Sequence, residues 1–114
     1  MKRAKADKAQ EFFSYWRDYS PIASISPVPE YGFTKHIGRR HRFDWAFPSQ
    51  RVAVEIEGNA WHVQGGGKHM QDADLEKYNL ASEYGWRVFR YSPSMLKKDP
   101  AACIKQVARA LEKG

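Results

Sequence analysis

The 114-residue sequence predicts an α/β fold in which helices flank a mixed sheet of about four strands. Two neighbouring segments alternate between apolar and polar residues, and helical patterns lie on either side of them. Aromatic residues make up 14% of the chain, which is typical of a packed core and not of a disordered basic tail. The length suits a single domain over residues 1–114.

Periodicity and turn residues predict the elements in order. They are a mobile basic lead-in over 1–8, a helix over 9–19, an extended connector over 20–30, a strand over 31–36, a hairpin over 41–57, a helix over 72–84, a strand over 86–91 and a helix from 100 onward. Phe12, Phe13 and Trp16 form one apolar stripe on the first helix. Gly85 ends the second helix because glycine tolerates a left-handed conformation, and Asp99 caps the last helix.

The hairpin is the most informative segment. The turn signal over residues 48–51 separates two alternating strands, and a loop centred on Ser49 and Gln50 brings both strands into one register. One face of this hairpin is apolar and consists of Phe43, Trp45, Phe47, Val52, Val54 and Ile56. On the other face the register places Asp44 opposite Glu55 and Arg42 opposite Glu57.

The opposed carboxylates on this second face need a physical explanation. Asp44 and Glu55, with Cβ atoms ~5 Å apart, would repel each other at a cost of ~0.2–1 kcal/mol. A divalent cation between them would convert the repulsion into coordination, and carboxylate oxygens suit Mg²⁺. The alternative is a solvated polar face in which Arg42 neutralises Glu57 and the acids point at water.

Basic residues lie close to these acids in a chain whose formal net charge is +6. Six of the eight positions from 35 to 42 are basic or titratable, namely Lys35, His36, Arg39, Arg40, His41 and Arg42. Acids that hold a metal beside cations that hold phosphates are typical of DNA-cleaving sites. A basic strand edge that deters edge pairing is the alternative explanation. We therefore expect DNA as the partner.

Composition disfavours several other classes of protein. The single cysteine, Cys103, excludes an intramolecular disulfide framework and a multi-cysteine zinc ribbon, and we expect it to be a buried apolar side chain. No apolar run approaches the ~20 residues of a membrane span, and residues 1–20 are too charged for a signal peptide. We expect a cytoplasmic, intracellular protein in a reducing compartment, without a membrane partner.

Four blocks of sequence, taken in order, resemble the PD-(D/E)XK nuclease superfamily. The blocks are RHRFDWAFP at 40–48, AVEIEG at 53–58, DLEKYN at 74–79 and GWRVFR at 85–90. They are similar to small phage-type endonuclease-like proteins, and the last block, with Trp61 and His62, also resembles very-short-patch repair endonucleases. The resemblance covers about residues 30–92. It implies a restriction-endonuclease-like core and Mg²⁺-dependent hydrolysis of DNA, with Mn²⁺ able to substitute.

The superfamily pattern also implies roles for individual positions. Asp44 and Glu55 would bind the metal, with the backbone carbonyl of Ile56 as an extra ligand. The third motif position, usually lysine, is Glu57, and some restriction enzymes of the superfamily also have an acid there. Glu57 is therefore a candidate catalytic residue that would help Asp44 and Glu55 hold one or two metal ions. Lys77, on a helix behind the hairpin, is the candidate for a relocated lysine, and an ordinary surface lysine is its alternative.

Other candidates lie around this motif. Glu11 on the first helix and Glu30 before the first strand are rivals for an additional acid. His62 is a candidate catalytic residue, either as a general acid or base or as a phosphate contact, and His69 is a second candidate. The expected nucleic-acid contacts are Lys35, Arg39, Arg40, Arg42, Trp61 and Lys68. Trp61 would stack on a base.

These observations predict a Mg²⁺-dependent DNA endonuclease, with structure-specific cleavage of a nick, flap or junction as one form of that activity. The alternative is a catalytically inactive nucleic-acid-binding module of the same fold, which the acid at position 57 favours. A third alternative is an interaction protein whose basic face meets an acidic partner. A homodimer is plausible because resolving a symmetric junction needs two sites.

Overall fold

A computed structural model describes residues 2–57 and 71–113 and confirms an α/β architecture with a four-stranded mixed sheet flanked by helices. The helices are α1 (Lys2–Tyr19), α2 (Asp72–Glu83), α3 (Pro93–Lys98) and α4 (Pro100–Lys113), and the strands are β1 (Val28–Tyr31), β2 (Phe43–Phe47), β3 (Val52–Ile56) and β4 (Arg87–Tyr91). A 3₁₀ turn spans Lys35–Ile37. Among these helices, none is long and apolar enough to cross a membrane.

The strands lie side by side in chain order, β1-β2-β3-β4. The first three are antiparallel, and β4 runs parallel to β3 after the connection that contains α2. In the hairpin, Trp45 pairs with Val54 and Phe47 pairs with Val52, so the predicted register is confirmed. The register follows from the alternation, because a slip of one residue would turn every apolar side chain to the other face.

Both faces of the sheet are covered by helices. On one face, α1 and α4 pack against the strands through residues such as Phe12, Trp16 and Ile104, all essentially without exposed surface. On the other face, Ala81 of α2 lies in a second core cluster with Ala46, and the small side chains there let the helix approach closely. The second face of the hairpin, for which exposure to solvent was the alternative, is therefore covered by α2.

Phe43 lies on a different face from the one predicted. It belongs to the cluster beneath α2 and stacks on Phe33, with ring centroids 4.0 Å apart, whereas Trp45 faces α1 and α4. The pairing of β2 with β3 ends at Trp45 and Val54. Phe43 lies beyond this last pair, so the alternation of the hairpin no longer determines which face its side chain occupies. Glu30, which lies between the β1 residues that pair with Trp45 and Phe43, has a left-handed φ of 49° at the same level of the sheet.

The first strand is also displaced from its predicted place. It spans Val28–Tyr31 and not residues 31–36, part of which form the 3₁₀ turn. Pro29 is compatible with a strand here because β1 is at the edge of the sheet, where a missing N–H is tolerated. The first helix begins at Lys2, earlier than its apolar stripe predicts, since residues 2–9 are rich in alanine and lysine, which favour helix without any stripe.

The predicted helix ends around α2 and α4 are confirmed. Gly85 follows α2 with φ of 80°, and the Asp99 side chain accepts a hydrogen bond of 3.1 Å from the N–H of Ala102. Cys103 is buried in the core, as expected. The short helix α3 was not predicted, although Ser92, whose hydroxyl accepts from Met95 N–H at 3.1 Å, is a local signal for its start.

Candidate functional site

The two acids predicted as metal ligands meet where β2 and β3 separate. The N–H of Asp44 donates to Oε2 of Glu55 at 3.1 Å, and the N–H of Ile56 donates to Oδ2 of Asp44 at 2.7 Å. Each carboxylate thus accepts a hydrogen bond from a backbone N–H of the opposite strand. In a longer hairpin, those N–H groups would donate to backbone carbonyls instead. The backbone itself fixes the two acids side by side.

Glu55 is the more deeply buried of the two acids, with 5% of its surface exposed. Its Oε1 accepts hydrogen bonds from Lys77 Nζ at 2.8 Å and from the Tyr78 hydroxyl at 3.1 Å. Burial raises the pKa of Glu55, the charge of Lys77 opposes that rise, and the charge of Asp44 adds to it. These contacts contradict the alternative in which the acids of the hairpin point at water.

Lys77 reaches the acid pair from α2, as predicted for a relocated lysine. Its side chain is 15% exposed, which contradicts the alternative of an ordinary surface lysine. The ammonium also lies 5.7 Å from the centroid of the Phe43 ring and 5.5 Å from that of Tyr78. These two rings and Glu55 hold the charge against the sheet. The catalytic role of Lys77 stays a prediction.

Glu57 has a different partner from the one predicted. Arg90 Nε donates to its Oε2 at 2.9 Å, whereas Arg42 is ion-paired with Glu30 at 3.7 Å. The parallel register explains the error, because β4 places Arg90 beside Glu55 and therefore close to the residues that follow β3. Arg42 is separated from Glu57 because the hairpin has already diverged at this point.

Tyr78 connects the two acids of β3. Its hydroxyl, 3.1 Å from Glu55, also lies 3.4 Å from Oε2 of Glu57, and the Arg90 guanidinium lies 4.4 Å from the centroid of its ring. A hydroxyl carries one proton, so it donates to one carboxylate at a time. Burial raises the pKa of Tyr78, and the charges of Glu55 and Glu57 raise it further, so the hydroxyl stays a donor at neutral pH.

The donor chemistry of this site fits a hard divalent cation. The two adjacent carboxylates of Asp44 and Glu55 offer the oxygen ligands that Mg²⁺ prefers, and the Ile56 carbonyl stays a prediction as a further ligand. In the described part of the chain, no group of three or more His, Cys, Asp or Glu residues is placed to hold a metal. The remaining ligands would therefore have to come from water and phosphate oxygens, as is usual for Mg²⁺.

The two rival acids differ in their relation to this pair. Glu30 lies between the β1 residues that pair with Trp45 and Phe43, so its backbone is across from Asp44, although its exposed side chain is paired with Arg42. Glu11 is exposed on α1, the helix whose buried side chains pack against the opposite face of the sheet. Glu30 is the better placed of the two.

The predicted basic contacts come together in one groove of ≈290 Å³, lined by Lys35, Arg39, Arg40 and Arg42 with Glu30 and Gly32. Arg39 is ion-paired with Glu76 of α2, which raises the pKa of Arg39 and lowers that of Glu76. His41 Nε2 lies 3.8 Å from the same carboxylate and has no hydrogen-bond partner among the described residues. The basic groove is thus attached to the helix that carries Lys77.

The remaining predicted residues, Trp61, His62, Lys68 and His69, lie outside the described residues, so their roles stay predictions. Two residues of the site were missed. Tyr78 adjoins Lys77 in sequence, but neighbours on a helix point about 100° apart, so the motif does not indicate it. Arg90 could have been found only from the parallel pairing of β3 and β4.

Known proteins with similar sequences include two from Mycobacterium tuberculosis, one from strain CDC 1551 / Oshkosh and one from strain H37Rv, both uncharacterized. Each is 28% identical over 89 residues, which cover 76% of this chain and 32% of the relative. The chain spans about a third of the length of these curated relatives. No family model and no solved structure matches. The site itself is therefore the basis for a functional proposal.

Proposed function

We propose that this chain is a Mg²⁺-dependent DNA endonuclease with a PD-(D/E)XK-like core, and that Mn²⁺ can replace Mg²⁺. The strongest support is the 2.8 Å contact between Lys77 Nζ and Oε1 of Glu55, next to the Asp44 carboxylate. Lys77 stands 22 residues after Glu55 and supplies the ammonium that the motif lacks at position 57. Two acids, an ammonium and a basic groove are the groups that phosphodiester hydrolysis needs.

In this proposal Asp44, Glu55 and the Ile56 carbonyl would hold the cation. When bound, a divalent cation lowers the pKa of water and polarises the phosphate. Lys77 offsets the negative charge that develops on the phosphoryl oxygens, and its low exposure strengthens that interaction because water screens it little. The cations of the groove hold the DNA backbone on the β1 side of the acid pair.

Glu57 is better suited to positioning than to direct catalysis. Its carboxylate is engaged by Arg90 and lies within reach of the Tyr78 hydroxyl, which also donates to Glu55. A carboxylate held in this way keeps Tyr78 and Arg90 against the buried acid. The role of the usual motif lysine then belongs to Lys77.

Nicking of supercoiled plasmid with Mg²⁺ tests the proposal. Asp44→Asn and Glu55→Gln should abolish nicking, and Lys77→Met should lower its rate by about 10²–10³-fold, the usual order for losing one group that stabilises transition-state charge. Glu112→Gln and Lys105→Met, both on the exposed side of α4, are matched controls that should leave the rate unchanged. Undiminished nicking by pure Asp44→Asn protein would refute the proposal.

A catalytically inactive DNA-binding module of the same fold is the second candidate. Two observations favour it: an acid occupies position 57, and both oxygens of Glu55 already accept hydrogen bonds from the protein. Calorimetric titration with Mn²⁺ separates the candidates. The endonuclease requires a site that Asp44→Asn removes, whereas the binding module requires none. The homodimer stays a prediction, which sedimentation measures directly.

A further inference from the structure

We propose that a continuous groove beside β1 binds an unpaired, single-stranded segment of DNA. Three adjoining pockets of ≈290, ≈420 and ≈230 Å³ lie along this strand, and we treat them as the basic, middle and aromatic sections of the groove because each shares lining residues with the next. The basic and middle sections share Glu30, Gly32 and Lys35, and the middle and aromatic sections share Tyr31, Phe33 and His36. The inference deepens the proposed function by naming its substrate class, and it rests on that function for the link between binding and cleavage.

The basic section has the charge that a phosphate backbone requires. Arg39 and Arg42 are paired with single acids, yet their side chains remain 46% and 60% exposed. Lys35 and Arg40 are exposed and make no ion pair among the described residues. The section therefore keeps an excess of positive charge at the surface, which attracts a polyanion of any sequence.

The aromatic section is lined by the buried ring of Phe33 and by four rings that keep exposed surface, those of Tyr31, His36, Tyr84 and Trp86. The rings of Tyr31 and Trp86 lie 5.7 Å apart, and His36 meets the Tyr84 ring edge-on at 4.9 Å. Arg51 lines the same section and donates to the carbonyl oxygen of Tyr84. Partly exposed rings beside cations are the usual platform for stacking nucleobases.

Stacking of this kind favours unpaired nucleotides over an intact duplex. In a duplex both faces of each base are covered by its neighbours, so a protein ring reaches a base face only after unstacking, at a cost of a few kcal/mol. An unpaired base needs no such step. A basic section that continues into an aromatic section thus matches one strand, with phosphates at one end and a stacked base at the other.

The groove lies close to the acid pair but is separated from it by one buried ring. Phe43 has no exposed surface, and its ring centroid lies 5.0 Å from that of Trp86, which lines the groove, and 5.7 Å from Lys77 Nζ. At the basic end, the pairing of Arg39 with Glu76 attaches the groove to the helix that carries Lys77. A strand in the groove would therefore flank the bond that the site cleaves, as in a flap, a junction or a mismatch.

Fluorescence anisotropy of labelled oligothymidine, measured with the full chain in EDTA, tests the binding without cleavage. The wild type should bind the single strand more tightly than an intact duplex of the same length. Tyr31→Ala and His36→Ala should each weaken single-strand binding by about 5- to 150-fold, since stacking is worth about 1–3 kcal/mol per base. Tyr19→Ala, which removes an exposed ring from α1, is the matched control.

The salt dependence of binding distinguishes phosphate contacts in the basic section from base stacking in the aromatic section. Arg40→Ala should reduce the slope of log K against log salt by about 0.7, whereas Tyr31→Ala should leave it unchanged. Lys105→Ala controls for the loss of one exposed charge. His36 is exposed, so its substitution removes nothing from the core, and thermal melting verifies the Tyr31 variant.

Tighter binding to the intact duplex, or single-strand binding by Tyr31→Ala and His36→Ala as tight as that of Tyr19→Ala, would overturn the inference. Because EDTA removes divalent cations, the measurement reports binding alone and does not depend on whether the chain cleaves DNA. A chain that binds single strands through the groove but nicks nothing contradicts only the endonuclease. A chain that nicks plasmid but lacks the single-strand preference contradicts only the inference.

Discussion

Removal of the Lys77 ammonium should destabilise the fold, because it leaves a buried carboxylate without its charged partner. Glu55 and Lys77 have side chains that are 7% and 15% exposed and are joined at 2.8 Å. Removing one partner of a buried pair costs about 3–5 kcal/mol, out of a usual total stability of about 5–15 kcal/mol. The Tyr78 hydroxyl and the Asp44 N–H still donate to Glu55, so we expect a loss at the lower end, about 3 kcal/mol, for Lys77→Met.

The stability lost in the Lys77→Met variant should be larger at neutral pH than in mild acid. Burial already raises the pKa of Glu55, and Lys77 opposes that rise, so the pKa should rise further in the Lys77→Met variant. The folded state then binds a proton more readily than the unfolded state. By linkage, stability is greatest below the unfolded pKa and falls as pH increases through the folded pKa. The variant should be closer to wild type in mild acid than at neutral pH.

Urea unfolding followed by tryptophan fluorescence, at mildly acidic and at neutral pH, measures both effects. The Glu55→Gln/Lys77→Met double variant should recover most of the lost stability at neutral pH, because its amide carries no charge to desolvate. Lys105→Met, at an exposed position, should behave as wild type. Two results would refute the reasoning. One is a loss of stability in Lys77→Met that is equal at the two pH values. The other is a loss in the double variant as large as the sum of the losses in the two single variants.

Three other variants test neighbouring parts of the structure. Glu57→Gln should leave nicking within about fivefold of wild type, since a partly exposed ion pair contributes about 1 kcal/mol or less; a loss as large as that of Lys77→Met would contradict a positioning role. Gly85→Ala should cost about 1–2 kcal/mol of stability in urea, because φ is 80° there, whereas Gly32→Ala should cost less. Ala53→Leu should cost about 1–3 kcal/mol by overpacking beneath α2, and the exposed Ala102→Leu should be near neutral in the same assay.

The parts of the fold that sequence predicts correctly are those fixed by local chemistry. The hairpin register follows because two alternating segments satisfy one pairing, which a single-residue slip would break. The ends of α2 and α4 follow because Gly85 tolerates a left-handed φ and Asp99 caps a free N–H. Each signal lies within a few residues of the feature it determines.

The errors arise where distant segments decide the outcome. Phe43 continues the alternation of β2 in sequence, but the divergence of the hairpin and the ring of Phe33 place it on the α2 face. Glu57 stands opposite Arg42 in an ideal hairpin, yet it is paired with Arg90 of a strand more than thirty residues later. No local pattern encodes either contact, because both depend on which element lies next to the end of β3.

Distant segments also explain why position 57 is an acid while position 77 is a lysine. The parallel register places Arg90 next to the end of β3, so a lysine at position 57 would meet a like charge, whereas Glu57 accepts a hydrogen bond from Arg90 at 2.9 Å. On α2, the side chain at position 77 faces the carboxylate of Glu55. A lysine at this position neutralises that charge, whereas an acid would repel it. If Lys77 has the role of the motif lysine, as we propose, β4 and α2 together explain why the ammonium is at position 77 and not at position 57. A motif read only along β2 and β3 predicts the acid pair but leaves the position of its lysine undetermined.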